Sequence, residues 1–95
     1  MRKRLECTVR GRVQGVMFRD HVQRNARKLA LVGIVKNNPD RTVSVIAEGA
    51  EKNLKKLEEL LWKGPVISRM VARVDKVDAQ WGEPTEVFED FRILY

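Results

Sequence analysis

Apolar residues along this chain follow two spacings by turns, and the order of those spacings limits the available folds more than any other feature. Leu5, Cys7 and Val9 alternate with Glu6, Thr8 and Arg10, the period of two that gives a strand one buried face. A first strand is expected over residues 4–12. Phe18, Val22, Ala26, Leu29 and Ala30 then recur at three and four, which predicts a helix over residues 18–30. Gly33 separates that helix from Ile34, Val35 and Lys36. Asn37-Asn38-Pro39-Asp40 is a turn-forming cluster before Thr42-Val43-Ser44-Val45-Ile46-Ala47-Glu48, so strands two and three form a hairpin. Leu54, Leu57, Leu60 and Leu61 put one apolar stripe on a second helix over residues 51–63, stopped by Gly64-Pro65. Residues 71–81 read as a fourth strand whose apolar phase slips between Ala72/Val74 and Val77/Ala79, as a bulge produces. Phe91, Ile93 and Tyr95 form a short last strand.

Strand, helix, strand, strand, helix, strand is the order of a ferredoxin-like split βαβ sandwich, an α+β fold with two helices on one face of an antiparallel sheet. Ninety-five residues fill one such domain, residues 1–95, and leave no room for a second. The fold hosts many functions and decides none.

Residue counts narrow the chemistry. One Cys excludes an internal disulfide, and one Cys with one His leaves a zinc site or a catalytic triad short of members. No metal and no cofactor are expected. Cys7 falls on the buried phase of its strand and reads as a small core residue; His21 reads as a helix-surface residue. The longest apolar run, Leu29 to Val35, is far short of a membrane span, and Met1-Arg-Lys-Arg is not followed by an apolar signal core. The expectation is a cytoplasmic monomer, with no membrane partner. The net charge of +6 is uneven: residues 1–41 carry +8 and the remainder −2. The first half suits an anion, without saying which.

The segment Gly11-Arg12-Val13-Gln14-Gly15-Val16-Met17-Phe18-Arg19 joins the first strand to the first helix. Backbone N–H groups at a helix N-terminus lack intrahelical partners and carry partial positive charge, so Gln14 to Arg19 can cradle a phosphate-sized anion. Arg19 supplies a planar fork that fits phosphate. Taken by themselves, Gly11 and Gly15 read better as plain turn residues and Arg19 as a solvated helix residue.

That nine-residue segment resembles the signature of acylphosphatases. The resemblance continues through Ala26, Leu29, Leu31, Gly33 and Val35-Lys36-Asn37, then Thr42-Val43 and Gly64-Pro65, and so covers nearly the whole chain. It implies the same ferredoxin-like sandwich, and hydrolysis of acyl phosphates to a carboxylate and inorganic phosphate without a metal. It further implies that Arg19 binds the phosphate, that backbone N–H groups of Gln14, Gly15, Val16, Met17 and Phe18 surround it, and that Asn37 positions the attacking water. An amide orients water but takes no proton at pH 7, which leaves a substrate phosphate oxygen as the base. The toolkit suits the substrate. An acyl phosphate expels a carboxylate that needs no protonation, whereas a simple phosphate ester expels an alkoxide and needs a general acid.

Two positions depart from the family pattern: Arg41 stands where a turn glycine is common, and Ile34 where an aromatic is common. Asn38 to Arg41 reads as a type I turn with Arg41 in the left-handed conformation. Two other functions compete. A non-catalytic or carbamoyl-phosphate-processing module of the same type would work within a larger protein. An RNA-binding sheet needs exposed aromatics on its central strands, and Leu5 to Arg10 and Thr42 to Glu48 contain none. No nucleic-acid partner is expected.

Overall fold

The computed structural model describes residues 1–14, 17–64 and 73–95. Gly15, Val16 and residues 65–72, including Pro65 and the first two positions of the expected fourth strand, lie outside the described residues. The elements are β1 (Arg2–Arg12), α1 (Phe18–Lys28), β2 (Val32–Asn37), β3 (Val43–Ala50), α2 (Glu51–Lys63), β4 (Arg73–Gly82) and β5 (Phe91–Leu94). They match the expected order, and the strands form one five-stranded sheet ordered β4-β1-β3-β2-β5.

Each helix buries most of the stripe predicted for it, although Leu29 and Leu60 are only half-buried and Ala30, beyond the end of α1, is exposed. Phe18, Val22 and Ala26 of α1, with Leu54, Leu57 and Leu61 of α2, meet Leu5, Cys7, Val9, Val35, Val43, Val45, Ala47, Val77 and Phe91 of the sheet in one core. α1 lies over β2 and β5, and α2 over β1, β3 and β4. Removing each large side chain from water contributes roughly 1.5–3 kcal/mol. α1 ends two residues before the expected limit because Ala30 takes a left-handed φ of 56°, and the N–H groups of Leu29, Ala30 and Leu31 close its last turn onto the carbonyls of Asn25, Ala26 and Arg27.

Two expectations need correction. The sheet is mixed: β1 to β4 pair antiparallel, but β5 runs parallel to β2 along Gly33↔Phe91 to Lys36↔Leu94. A parallel neighbour requires a crossover, and here it is the connection from β4 at one edge to β5 at the other. Residues 83–90 therefore cross the sheet face that carries no helix. β1 also starts two residues early. Arg2, Lys3 and Arg4 pair in register with Ala50, Gly49 and Glu48, and their side chains meet Glu86, Glu83 and Glu48.

Glu48 anchors this crossing strap. It is fully buried, and its carboxylate accepts from Arg4 Nη1 at 2.8 Å, Thr85 N at 2.9 Å, Thr85 Oγ1 at 2.8 Å and Glu86 N at 2.9 Å. Burial pushes its pKa up, but the donors of Thr85, Arg4 and Glu86 outweigh burial and hold it at about 2.

The phase slip in β4 is a bulge. Arg10 pairs with Lys76 and Gly11 with Val74, so Asp75 is the extra residue. Gly11 is obligatory at that point: its φ is 137°, and a Cβ there would stand 2.0 Å from the Arg73 carbonyl oxygen.

Candidate active site

β1, β2 and β5 all run in one direction, so their C-terminal ends lie at the same end of the sheet. Three segments meet there: the β1–α1 connection, the β2–β3 turn and the end of β5. Gln14 joins the first two, because its Nε2 donates to the carbonyls of Asn38 and Thr42, both at 2.9 Å.

The turn beyond Gln14 is held by its own side chains. The Arg41 N–H donates to the Asn38 carbonyl at 3.1 Å, closing the four-residue turn expected there, and Arg41 has the expected left-handed φ of 71°. Asn38 Nδ2 donates to Thr42 Oγ1 at 2.9 Å and Ser44 Oγ at 2.8 Å. Asp40 Oδ1 accepts from Thr42 N and Thr42 Oγ1, and these bonds, the hydroxyl's above all, lower the Asp40 pKa. With the turn fixed, Asn37 ends β2 on the same side as Val35, toward the helices. Its Oδ1 is buried and accepts no hydrogen bond among the described residues. Buried acceptors are rarely left so.

α1 begins in a way that leaves donors available. Met17, with φ 63° and ψ 19°, takes the N-cap position in the left-handed region and supplies no side-chain cap. The first intrahelical bond runs from His21 N to Met17 O at 3.1 Å, so the preceding N–H groups of α1 have no partner within the helix. Arg19 stands in this first turn. Its guanidinium carbon is 5.0 Å from the centre of the Tyr95 ring, and Nη1 makes a long 3.4 Å contact to the Leu94 carbonyl. Arg19, Val13, Met17, Phe18 and Tyr95 line a cavity of about 130 Å³.

The acylphosphatase family's sequence pattern matches residues 5–93. An acylphosphatase of Salinibacter ruber is 41% identical over 91 residues, which cover 96% of this chain and 92% of that one. The chain belongs to the acylphosphatase family. Its members hydrolyse acyl phosphates to a carboxylate and inorganic phosphate, and that is the activity of this chain. The crystal structure of an acylphosphatase from Bacillus subtilis has a TM-score of 0.89 at 34% identity, covering 98% of this chain and 99% of that one. HypF of T. kodakarensis is similar over 97% of this chain but only 12% of its own length, with a TM-score of 0.80 and 31% identity.

The acylphosphatase signature therefore falls on three kinds of position. Asn37, Gln14 and Arg19 reach one end of the sheet. Phe18 is in the core through its side chain and has only its backbone to offer, whereas Met17 is 71% exposed. Gly15 and Val16 lie outside the described residues. Sequence reasoning treated Gln14 as a backbone donor and missed its side-chain brace. It also missed the Asn38, Asp40 and Thr42 network, although Asp40-Arg41-Thr42 has the spacing of a side-chain-capped turn.

The two residues set aside on sequence behave differently. Cys7 is buried as expected, and burial chiefly, with Glu58 adding, raises its thiol to about 12. His21 is not a plain surface residue: it is half-buried, its Nε2 is buried without a partner among the described residues, and Asn25 Nδ2 lies 3.3 Å from its Nδ1. Burial, then Arg24, lower its pKa against the opposing effect of Asp20. The acidic residues of the second half are largely engaged by cations, Arg2 with Glu86, Lys3 with Glu83, Arg27 with Asp90 and Arg73 with Asp75. Among the described residues no three His, Cys, Asp or Glu side chains cluster as metal ligands. No helix among the described residues is long and apolar enough to cross a membrane.

Proposed function

We propose that the loop from Gln14 to Arg19 binds the phosphoryl group of the acyl phosphate, that Arg19 clamps its charge, and that Asn37 holds the attacking water, with no metal taking part. Asn37 Oδ1 is the observation that carries this reading. Among the described residues it is a buried acceptor without a donor, at a strand end that Gln14 ties to the loop. A water O–H supplies what it lacks, and the Asn37 N–H₂ is a second handle on the same water.

The reaction needs little more. Water oxygen attacks phosphorus in line with the leaving carboxylate, the carboxyl oxygen–phosphorus bond breaks, and the water proton passes to a phosphate oxygen. The transition state is loose and keeps its charge on the phosphoryl oxygens, so positioning and fixed donors do most of the catalysis. Arg19 gives two parallel N–H donors, and the uncapped first turn of α1 gives backbone donors. The contact of Arg19 with Tyr95 and Leu94 is weak enough to be exchanged for a phosphate.

We take residues 1–95 to form a single domain that acts as a cytoplasmic monomer without a nucleic-acid partner. A radius of gyration of 12.1 Å supports the first point, since about 12 Å is expected for one compact domain of this length. The absence of aromatics from β1 and β3 supports the last. The experiment compares Arg19→Gln with Asn37→Ala. Arg19→Gln should lose affinity for inorganic phosphate, whereas Asn37→Ala should keep phosphate binding and folding and lose turnover by about a hundredfold or more. Near-native hydrolysis by Asn37→Ala sinks the mechanism.

A further inference from the structure

The loop assigned to the phosphoryl group and the strand end that carries Asn37 belong to different segments, and hydrolysis needs them in fixed register. In-line attack tolerates little error, since a misplacement of about 1 Å costs on the order of a hundredfold in rate. The β1–α1 connection is pinned at its start by the buried Val13. The β2–β3 turn, in contrast, is held mostly from within. Arg41 N to Asn38 O, Asn38 N to Thr42 O, Asn38 Nδ2 to Thr42 Oγ1 and the two bonds from Thr42 to Asp40 Oδ1 all join its own residues, and Asn38 Nδ2 to Ser44 Oγ reaches only the strand that follows. Such bonds fix the shape of a turn and say nothing of its distance from the loop.

Gln14 supplies that distance. Both hydrogens on its Nε2 are used, one toward Asn38 O and one toward Thr42 O, each at 2.9 Å and 24 and 28 residues away in sequence. Asn38 follows Asn37 directly, and Thr42 precedes Val43, the cross-strand partner of Asn37. The amide therefore grips both arms of the turn at the level of Asn37. Gln14 is half-buried and Thr42 is buried, so water competes weakly for these bonds. Among the described residues, no side chain outside the turn other than Gln14 donates to its carbonyls. A side-chain amide offers two donors on one nitrogen without a charge, and so makes both bonds without competing with Arg19 for phosphate.

We infer that the Gln14 side chain is a positioning group for hydrolysis: it sets the separation between the backbone donors that hold the phosphoryl group and the water held by Asn37, and touches neither reactant itself. The inference rests on the roles proposed above for the loop and for Asn37. Gln14 thus acts twice, through its backbone on the phosphate and through its side chain on the turn.

The test measures kcat and the competitive inhibition constant of inorganic phosphate in two variants whose folding is checked by denaturation. Gln14→Met keeps the length of the side chain and removes both donors, whereas Gln14→Lys puts donors back. Gln14→Met should lose kcat by about tenfold or more while its inhibition constant for phosphate stays within about twofold of native, and Gln14→Lys should recover most of the lost kcat. If Gln14→Met does not fold, Gln14→Asn, which keeps the amide but draws it back from the turn, takes its place in the comparison. In an Asn37→Ala background the same Gln14 substitution should cost less than about twofold, because no positioned water is left to misplace. An equal loss of kcat in both backgrounds, phosphate affinity that falls in step with kcat, or a Gln14→Lys variant no better than Gln14→Met overturns the positioning role. Near-native hydrolysis by Asn37→Ala overturns the water assignment beneath it, whereas a loss there beside native kcat in Gln14→Met overturns the brace alone.

Discussion

Replacing Glu48 by Gln keeps the side chain's shape and tests what the buried carboxylate does for the strap over the open sheet face. One carboxylate receives four donors, and an amide turns its N–H₂ toward some of them. Its pKa falls from 4.5 to about 2 in the folded state, and at about 1.4 kcal/mol per unit this corresponds to roughly 3 kcal/mol. The folded pKa lies below the unfolded one. The contribution is therefore fully present above about pH 4.5 and is lost as the pH falls toward 2. At pH 7, Glu48→Gln should unfold in denaturant with a stability about 2–3 kcal/mol lower, and its Tm should fall by roughly 10 °C or more. Stepping the denaturation series down to pH 2.5 should narrow the difference to about 1 kcal/mol or less, because the native protein loses most of what the variant never had. Turnover of folded variant should be close to native, since Glu48 pairs with Arg4, near the start of β1, while the site is at its end. A difference below about 1 kcal/mol at pH 7, or one that stays constant down to pH 2.5, refutes the assignment of this carboxylate as the strap's anchor.

Three further outcomes follow from other parts of the molecule. Arg41→Gly relieves a left-handed arginine and should stabilise the protein by up to about 1 kcal/mol, less the freedom glycine gives the unfolded chain; a thermal melt showing a loss above about 1 kcal/mol would refute the strain. Exhaustive chelation should leave acyl phosphate hydrolysis intact, with inorganic phosphate inhibiting competitively, and a rate restored by magnesium would move the chemistry away from Arg19 and Asn37. Activity on an ordinary alkyl phosphomonoester should be very low, as no general acid is provided for an alkoxide; comparable rates on both substrate types would contradict the leaving-group argument.

Much of this fold was legible because its core depends on period. The stripes at Phe18, Val22 and Ala26, and at Leu54, Leu57 and Leu61, are buried where spacing put them, and the bulge near Asp75 showed as a phase slip between Val74 and Val77. The parallel pairing of β5 was not legible. Phe91 and Ile93 alternate in the same way whether a neighbour is parallel or antiparallel, and only the position of β2 at an otherwise open edge decides it. Glu48 was invisible for a related reason. Its place on the polar phase of β3 predicts solvent, and it is buried only because Thr85 and Glu86, distant in sequence, cross above it.

The candidate site divides along the same line, between residue identity and residue pairing. Arg19 and Asn37 stand out through a pattern of residue types, and Arg41 through turn geometry that Pro39 and Asp40 impose locally. What no local pattern contains is the brace from Gln14 to the turn, or the facing of Arg12 with Arg73, since each depends on two segments meeting. The +8 carried by residues 1–41 announced an anion. It did not say that Arg73, from the acidic second half, would be turned by a one-residue bulge to stand opposite Arg12. That bulge, together with a glycine no side chain can replace, places Arg12 and Arg73, from distant parts of the chain, in the lining of one cavity.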